Sequence, residues 1–556
     1  MAPFTFKNPP VSRRAFVTGI AAAGLVALVG CSKKSEGPVD ISAQSVGAME
    51  GFEADMQFKA TEPLDLSILW TDWPELPVKD SWEVFKEIKA RTNVNLELTH
   101  MPFSDAVEKR SLLISAGDAP SIIPLIYTGD EKPFVSSGAV LPMSDYVEHM
   151  PNFRKYVKEW DLEAMIDNLR QADGKYYMLP GLQEVSVPVF SLMIRKDVFE
   201  EVGAAIPNTW DEVRDSLVKI KAKYPDSYPL ADGFEGQSLL NYAARSFGTQ
   251  AGWGFGTGTI MDEESKKLKY VATSKEYKDL VTFFHGLVKD GLLDPESLTA
   301  ADAGGGNASI SEKFASNKIF AASGNTGTVI EYSTALDKTL GKGAHEVILI
   351  APPGGPAGNI IGPRNFWHGF MLSSKAKDQP NFQALLQFVD WYFYNPDARE
   401  LLRWGVEGKQ YTKDATGAIK LKDGFSLDAW NLTSKGAVDI QKDLGYSTFA
   451  SEGTESRKLK ESYSPKDAVA YIESVLTTRT FRAPDAPAPL EEAELEQSSL
   501  IATPLKDTVD TNTLKFVLGE RDLSEWDKFV TELEGQGLAS YVDLLNTAHE
   551  RFADKT

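Results

Sequence analysis

The sequence predicts an α/β fold built in two or more lobes, on two observations. Strand-like and helix-like segments alternate from Leu64 to Tyr127, the pattern of a largely parallel sheet covered by helices. Residues 62–556 also run well past the size at which one hydrophobic core stops growing. With 10% aromatic residues the composition is that of an ordinary globular chain, so large packed cores are expected.

Ahead of that region, Ala15 to Gly30 carries no charged side chain and is almost entirely small or aliphatic. A spanning helix needs about 20 apolar residues, so this shorter run suits the apolar part of an export signal. Arg13 and Arg14 supply its positive flank, and Ser12-Arg13-Arg14-Ala15-Phe16-Val17 resembles a twin-arginine signal, although paired arginines also occur in ordinary export signals. Leu28-Val29-Gly30-Cys31 resembles a bacterial lipobox, whose cysteine is acylated and becomes the mature N-terminus. Residues 1–30 are therefore expected to be a signal peptide. Residues 31–61 are expected to be the lipidated Cys31 and a flexible tether, being rich in Ser, Gly, Ala and acids without an apolar period. Two acyl chains anchor stably where one binds reversibly, at ~0.8 kcal/mol per buried CH₂. Cys31 is the chain's single cysteine, so a disulfide framework, a cysteine zinc site and a thiol nucleophile are all excluded.

The whole chain carries −21. Loss of residues 1–30 removes Lys7, Arg13 and Arg14 and no acid, leaving 55 basic against 79 acidic side chains, −24. Such a surface repels phosphate backbones, so nucleic acid is not an expected partner. Net charge favours a neutral or cationic ligand over an anionic one, while the potential inside a cleft is set locally. No basic amphipathic stretch offers a second membrane contact.

In chain order, "LDLSILW" (Leu64–Trp70) reads as a strand and "DSWEVFKEIKART" as a helix, with Asp80 and Glu83 at capping-box spacing. "VNLELTH" is a second strand. "SDAVEKRSLLISAGDAP" is a helix opened by Ser104 and closed by Gly117, and "SIIPLIY" is a third strand. Further on, Thr209-Trp210-Asp211-Glu212 reads as a capping box and Asn395-Pro396 as a helix N-cap with proline at the first turn. "APDAPAPLEEAELE" (Ala483–Glu496) reads as an exposed connector into a helix.

Several segments together resemble the extracellular solute-binding proteins of ABC transporters, in the sugar-binding group. They are "SAGDAPSIIPLIY" (Ser115–Tyr127), "DGKYYMLPGLQEVSVPVFSLMIRKDVFEEVGAAIPNTWDEV" (Asp173–Val213), "EKFASNKIFAASGNTG" (Glu312–Gly327), "FVDWYFYNPDARELLRWGVEGKQY" (Phe388–Tyr411) and "SEWDKFVTELEGQGLASYVDLL" (Ser524–Leu545). The resemblance implies a two-lobed periplasmic-binding-protein-like (type II) α/β fold with a multi-strand hinge and a ligand cleft between the lobes. It assigns 62–185 plus 322–370 to the first lobe and 186–321 plus 371–482 to the second. Residues 483–556 become a connector and helices packed on the lobes. It also implies a monomeric, lipid-anchored receptor on the outer face of the cell membrane that delivers a carbohydrate to permease subunits of an importer.

Sugars present flat C–H faces and a rim of hydroxyls, so their sites combine aromatic platforms with planar polar side chains. In open α/β sheets such sites lie beyond the carboxyl ends of strands. "WTDWPE" supplies Trp70, Asp72, Trp73 and Glu75 at the end of the first strand; Trp70 either faces the cleft or packs inward as the final strand residue. Tyr127 and Asp130 occupy the equivalent place after the third strand. Glu184 stands beside the expected hinge and either bonds a ligand hydroxyl or is solvated. Asn325 of "SGNTG" either meets ligand or serves the turn. Trp367 of "RNFWHGF" is a cleft candidate beside His368, a packed or exposed histidine. Trp253 of "GWGFGTG" lies in a glycine-rich aromatic loop that lacks the G-x-G-x-x-G spacing, so a nucleotide reading fails. Trp404, Glu407 and Tyr411 are candidates through the resemblance alone.

No cofactor or metal is expected. The six histidines include no His-x-x-x-His pair, and no G-x-S-x-G or G-x-x-x-x-G-K-[ST] motif occurs. Some alginate-binding members of the family carry a calcium loop, but "QADGKYY" matches it only at Asp173. The enzyme alternative is a lipid-anchored glycoside hydrolase, which needs two carboxylates at about 5–9.5 Å. A structural surface protein without an enclosed cleft is a third reading.

Overall fold

Leu64, Leu66, Ile68 and Trp70 alternate along one strand and bury the same face, while Leu69 on the other face joins a second apolar cluster. That strand, β1 (Leu64–Asp72), therefore has both faces covered toward its carboxyl end. The structure, a computed structural model, describes residues 39–74, 76–233, 236–299, 308–430, 438–448 and 452–553. The expected export signal, Cys31 and Glu75 lie outside the described residues.

Chain order gives β2 (Val94–Pro102), β3 (Ile122–Leu125), β4 (Leu179–Leu182), β5 (Ser191–Arg195), β6 (Leu230–Ala231), β7 (Ala321–Gly324), β8 (Val347–Ile350) and β9 (Phe366–Leu372). The first sheet has the order β2-β1-β3-β9-β4, with β2 and β3 parallel to β1 and β9 antiparallel to both of its neighbours. The second has the order β8-β5-β7-β6 and is mixed. Each sheet nucleates its own core, so the fold has two lobes. The chain passes between them at 183–190, at 351–365 and between the helices Arg457–Tyr463 and Lys466–Thr478.

The distribution of chain between lobes departs from the expected boundaries. Residues 321–324 form a strand of the second sheet, because β7 pairs with β5 and β6, and the chain regains the first sheet only at Phe366. The helices Phe382–Tyr394 and Pro396–Trp404, expected in the second lobe, fill the first core instead. Phe382–Tyr394 is apolar on nearly every side and so must be enclosed all round. Its one acid, Asp390, accepts hydrogen bonds from Asn152 N (3.0 Å), Asn152 Nδ2 (2.7 Å) and Phe153 N (2.9 Å). The helices Glu492–Leu518, Trp526–Gly535 and Leu538–Ala553 contribute Leu505, Phe516, Trp526 and Leu545 to the second core.

The expected tether ends earlier than composition suggests. Ile41, Phe58 and Ala60 are buried in the first core, and Met49 exchanges backbone hydrogen bonds with the Gln387 side chain at 2.8 and 2.9 Å. Scattered apolar residues hold this segment, and they leave no period to detect. Two cap assignments also change. The helix Glu83–Thr92 starts without a side-chain cap, and Glu83 bonds Gln410 (2.7 Å) and Tyr446 (3.1 Å) instead of reaching back to Asp80. Ser104 sits within a short 3₁₀ turn, Phe103–Asp105, ahead of the helix Ala106–Ala116. The Thr209–Glu212 capping box and the Asn395 cap form as expected.

Phe58 is fully enclosed and stands edge-on to Phe52 and Phe388 at 5.9 and 6.3 Å. Phe58→Ala is expected to destabilise the first lobe by about 3–5 kcal/mol in urea unfolding. A loss below about 1 kcal/mol would return residues 40–61 to the status of a tether.

Candidate functional site

The site grows out of the way β9 re-enters the first sheet. Between Phe366 and Gly369 its register against β4 shifts by one residue, a bulge that re-aims the side chains of Trp367 and His368. His368 takes a left-handed φ of 58°. The backbones approach closely here: a Cβ on Gly369 would lie 2.5 Å from the Leu179 carbonyl, and one on Gly181 would lie 2.4 Å from the Trp367 carbonyl. Only glycine fits at either position.

Beside the bulge lies a cavity of about 930 Å³, within the range of small-molecule sites. The first lobe contributes Tyr127, beyond β3, together with Phe366, Trp367 and His368. The second contributes Phe190, Asn241, Tyr242, Arg245 and Trp253, and the 351–365 crossing contributes Arg364. Tyr127 is 60% exposed and Trp253 47% exposed, and both line the cavity. Tyr127 stands edge-on to Trp367 at 5.8 Å, and Trp253 stands edge-on to Phe190 at 5.6 Å. Trp367 is held from two sides, donating from Nε1 to Glu452 (2.6 Å) while the Arg364 guanidinium covers its face at 4.2 Å.

Of the sequence candidates, Tyr127, Trp253 and Trp367 come together in this cavity. The others sit elsewhere, for physical reasons. Trp70 ends its strand inward, edge-on to Phe85. Asp72 binds His100 Nδ1 (3.0 Å) and the Val78 backbone, anchoring the loop after β1. Trp73 stacks on Phe103 at 3.7 Å. Asp130 pairs with Arg110 at 3.1 Å. Glu184 lines a neighbouring cavity of about 670 Å³ and accepts from the Arg457 N–H at 2.6 Å. Asn325 caps the helix Thr326–Thr339 by accepting from Thr328 N. Trp404 and Tyr411 are core residues, with Trp404 bonded to Ser462 (2.9 Å) and Tyr411 to Glu400. Glu407 is exposed and 3.6 Å from Lys413. Phe190, Tyr242, Arg245 and Arg364 escaped sequence reasoning, although Phe190 and Arg364 lay inside quoted motifs, Arg364 three residues before Trp367. Among the described residues no group of three or more metal-ligating side chains occurs, and none of the helices is long and apolar enough to cross a membrane.

Residues 83–404 match the family described as bacterial extracellular solute-binding protein. The chain belongs to that family. As a solute-binding protein it is similar to the polygalacturonan/rhamnogalacturonan-binding protein YtcQ of Bacillus subtilis (strain 168), 23% identical over 83% of this chain and 86% of the relative. It is also similar to the fructooligosaccharide ABC transporter substrate-binding protein FusA of Streptococcus pneumoniae serotype 4, 21% identical over 91% and 93%. The fold matches that of the alginate-binding protein AlgQ2, with a TM-score of 0.65 at 18% identity, covering 90% of this chain and 100% of that one. These likenesses bear out the family resemblance and the two-lobed type II architecture, in which the cavity is the cleft between lobes.

Burial pushes the His368 imidazole down to about 4, against the opposing pull of Glu452, whose Oε2 lies 3.3 Å from Nε2. In the unfolded chain the ring protonates near its ordinary 6.5. Between those two values the unfolded state binds the extra proton, so this group's contribution is complete above pH 6.5 and is lost as the pH falls toward 4. His368→Asn keeps a residue that tolerates the left-handed backbone. It is expected to remove on the order of 3 kcal/mol of the acid-induced loss between pH 6.5 and 4. Parallel stability curves for the two proteins would contradict the burial assigned to His368.

Proposed function

We propose that this solute-binding protein captures an oligosaccharide outside the cell and hands it to the permease subunits of an ABC importer, held at the outer face of the membrane through acylated Cys31. The observation that carries the reading is the pair of half-exposed aromatic residues, Tyr127 from one lobe and Trp253 from the other, lining one cleft. Exposed rings of this size on an otherwise acidic surface are suited to the C–H faces of sugar rings. The sugar-polymer and fructooligosaccharide relatives support the same ligand class. The lipobox sequence Leu28-Val29-Gly30-Cys31 supports the anchor.

Contacts made by both lobes exist together only when the lobes are close, so ligand favours the closed arrangement by its differential affinity. That arrangement is what the permease would recognise. Among the described residues, the acids beside the cleft, Glu452 and the Arg245 partner Asp485, are engaged by Trp367 and Arg245. The receptor reading therefore requires the bound sugar to leave unchanged.

Calorimetry and product analysis on linear oligosaccharides test this. Binding without products is the expected result, and cleavage products would make the protein a hydrolase. Trp253→Ala should weaken binding by about 1 kcal/mol, roughly five-fold, with little loss of folding stability because the ring is half exposed. Unchanged affinity would remove Trp253 from the ligand site.

A further inference from the structure

The cleft reverses the sign of the rest of the molecule. Arg364 lines the main cavity and also a smaller one of about 330 Å³, whose wall includes Arg245 and Arg482. Three arginines therefore line one small cavity beside the cleft in a chain whose net charge is −21. Asp485 is the acid on that wall, and it is occupied by Arg245, which binds it through both oxygens at 2.9 and 2.7 Å. Among the described residues neither Arg364 nor Arg482 forms an ion pair with a carboxylate.

Sequence and packing explain how they are held. Arg364 lies in the 351–365 crossing, its backbone N–H donates to Ser186 of the other crossing strand, and its guanidinium rests on Trp367. Arg482 follows a short strand, Thr480–Phe481, that pairs with Ile360–Ile361, and its N–H donates to the Ile361 carbonyl at 2.9 Å. Both guanidinium groups are half-buried and neither touches an acid; Glu452 acts on Arg364, and Asp485 and Glu263 act on Arg482, only from beyond ion-pair distance. Burial disfavours the charged form of each, and Arg245 adds repulsion at Arg482. A half-buried cation with no acid in contact is costly in the empty protein and is relieved by an anion that reaches it. The planar guanidinium fork matches a carboxylate bidentately.

We infer that the cleft selects an acidic oligosaccharide, one whose sugar carboxylates bind Arg364 and Arg482 while its ring faces lie on Tyr127 and Trp253. The inference rests on the receptor reading and narrows it from oligosaccharides at large to uronate-bearing ones. It runs against the expectation, drawn from net charge, of a neutral or cationic ligand.

Calorimetry on the full chain with three probes of like size tests it: trigalacturonate, the same trisaccharide methyl-esterified, and maltotriose. Trigalacturonate should bind at least about tenfold more tightly than its ester, and its affinity should fall with added salt. Arg364→Gln should erase most of that preference while leaving the melting temperature of the free protein close to wild type; Arg482→Gln serves as the second variant if Arg364→Gln melts early. Equal affinity for acid and ester, or a preference for maltotriose, overturns the inference and leaves the receptor reading standing. A preference for the acid that survives both variants overturns the assignment to these arginines. Failure of all three probes to bind would count against the receptor reading on which the inference depends.

Discussion

The constraint on which the rest depends is the passage of the backbone between two separately built sheets. A chain that crosses at 183–190 and again at 351–365 must bring those segments side by side, and β4 and β9 are where they enter the first sheet. Gly181 and Gly369 allow backbones to approach at distances a side chain forbids. The bulge that results turns Trp367 and His368 away from the regular pleat, and Arg364 is placed just ahead of it. The cleft is thus a by-product of the crossing, and the side chains that line it sit on or beside the crossing segments.

That placement has an electrostatic consequence. A strongly acidic surface keeps the protein soluble and repels polyanions at large. Local charge inside the cleft follows from which side chains the crossing segments carry, and there the cations outnumber the acids that pair with them. Global charge and cleft charge are set by different residues and need not agree. The arginines come from different parts of the fold, Arg364 from the crossing and Arg245 from the second lobe.

Local features of the fold were legible because they depend on neighbours in sequence. The alternation through β1, β2 and β3, the Thr209–Glu212 capping box and the Asn395 cap all follow from short-range physics. Features set by distant partners were not. Ala321–Gly324 reads as a strand, but nothing in four small residues says which sheet it joins. Trp404 and Tyr411 carry the aromatic chemistry of a sugar site, yet both are enclosed in the first core, packed on each other and bonded to Ser462 and Glu400. In the site, Tyr127, Trp253 and Trp367 were readable from residue type at strand ends and glycine-rich loops. Arg364 was not, because an arginine's role depends on whether an acid stands near it, and that is a fact of three dimensions.

Solution scattering of the protein with and without a saturating oligosaccharide bears on the central idea, that one ligand is held by both lobes. If Tyr127 and Trp253 grip the same sugar chain, the radius of gyration should shrink on binding, and shrink less in Trp253→Ala at equal saturation. Full occupancy with an unchanged radius in both proteins would show a ligand held by one lobe and would contradict the shared cleft.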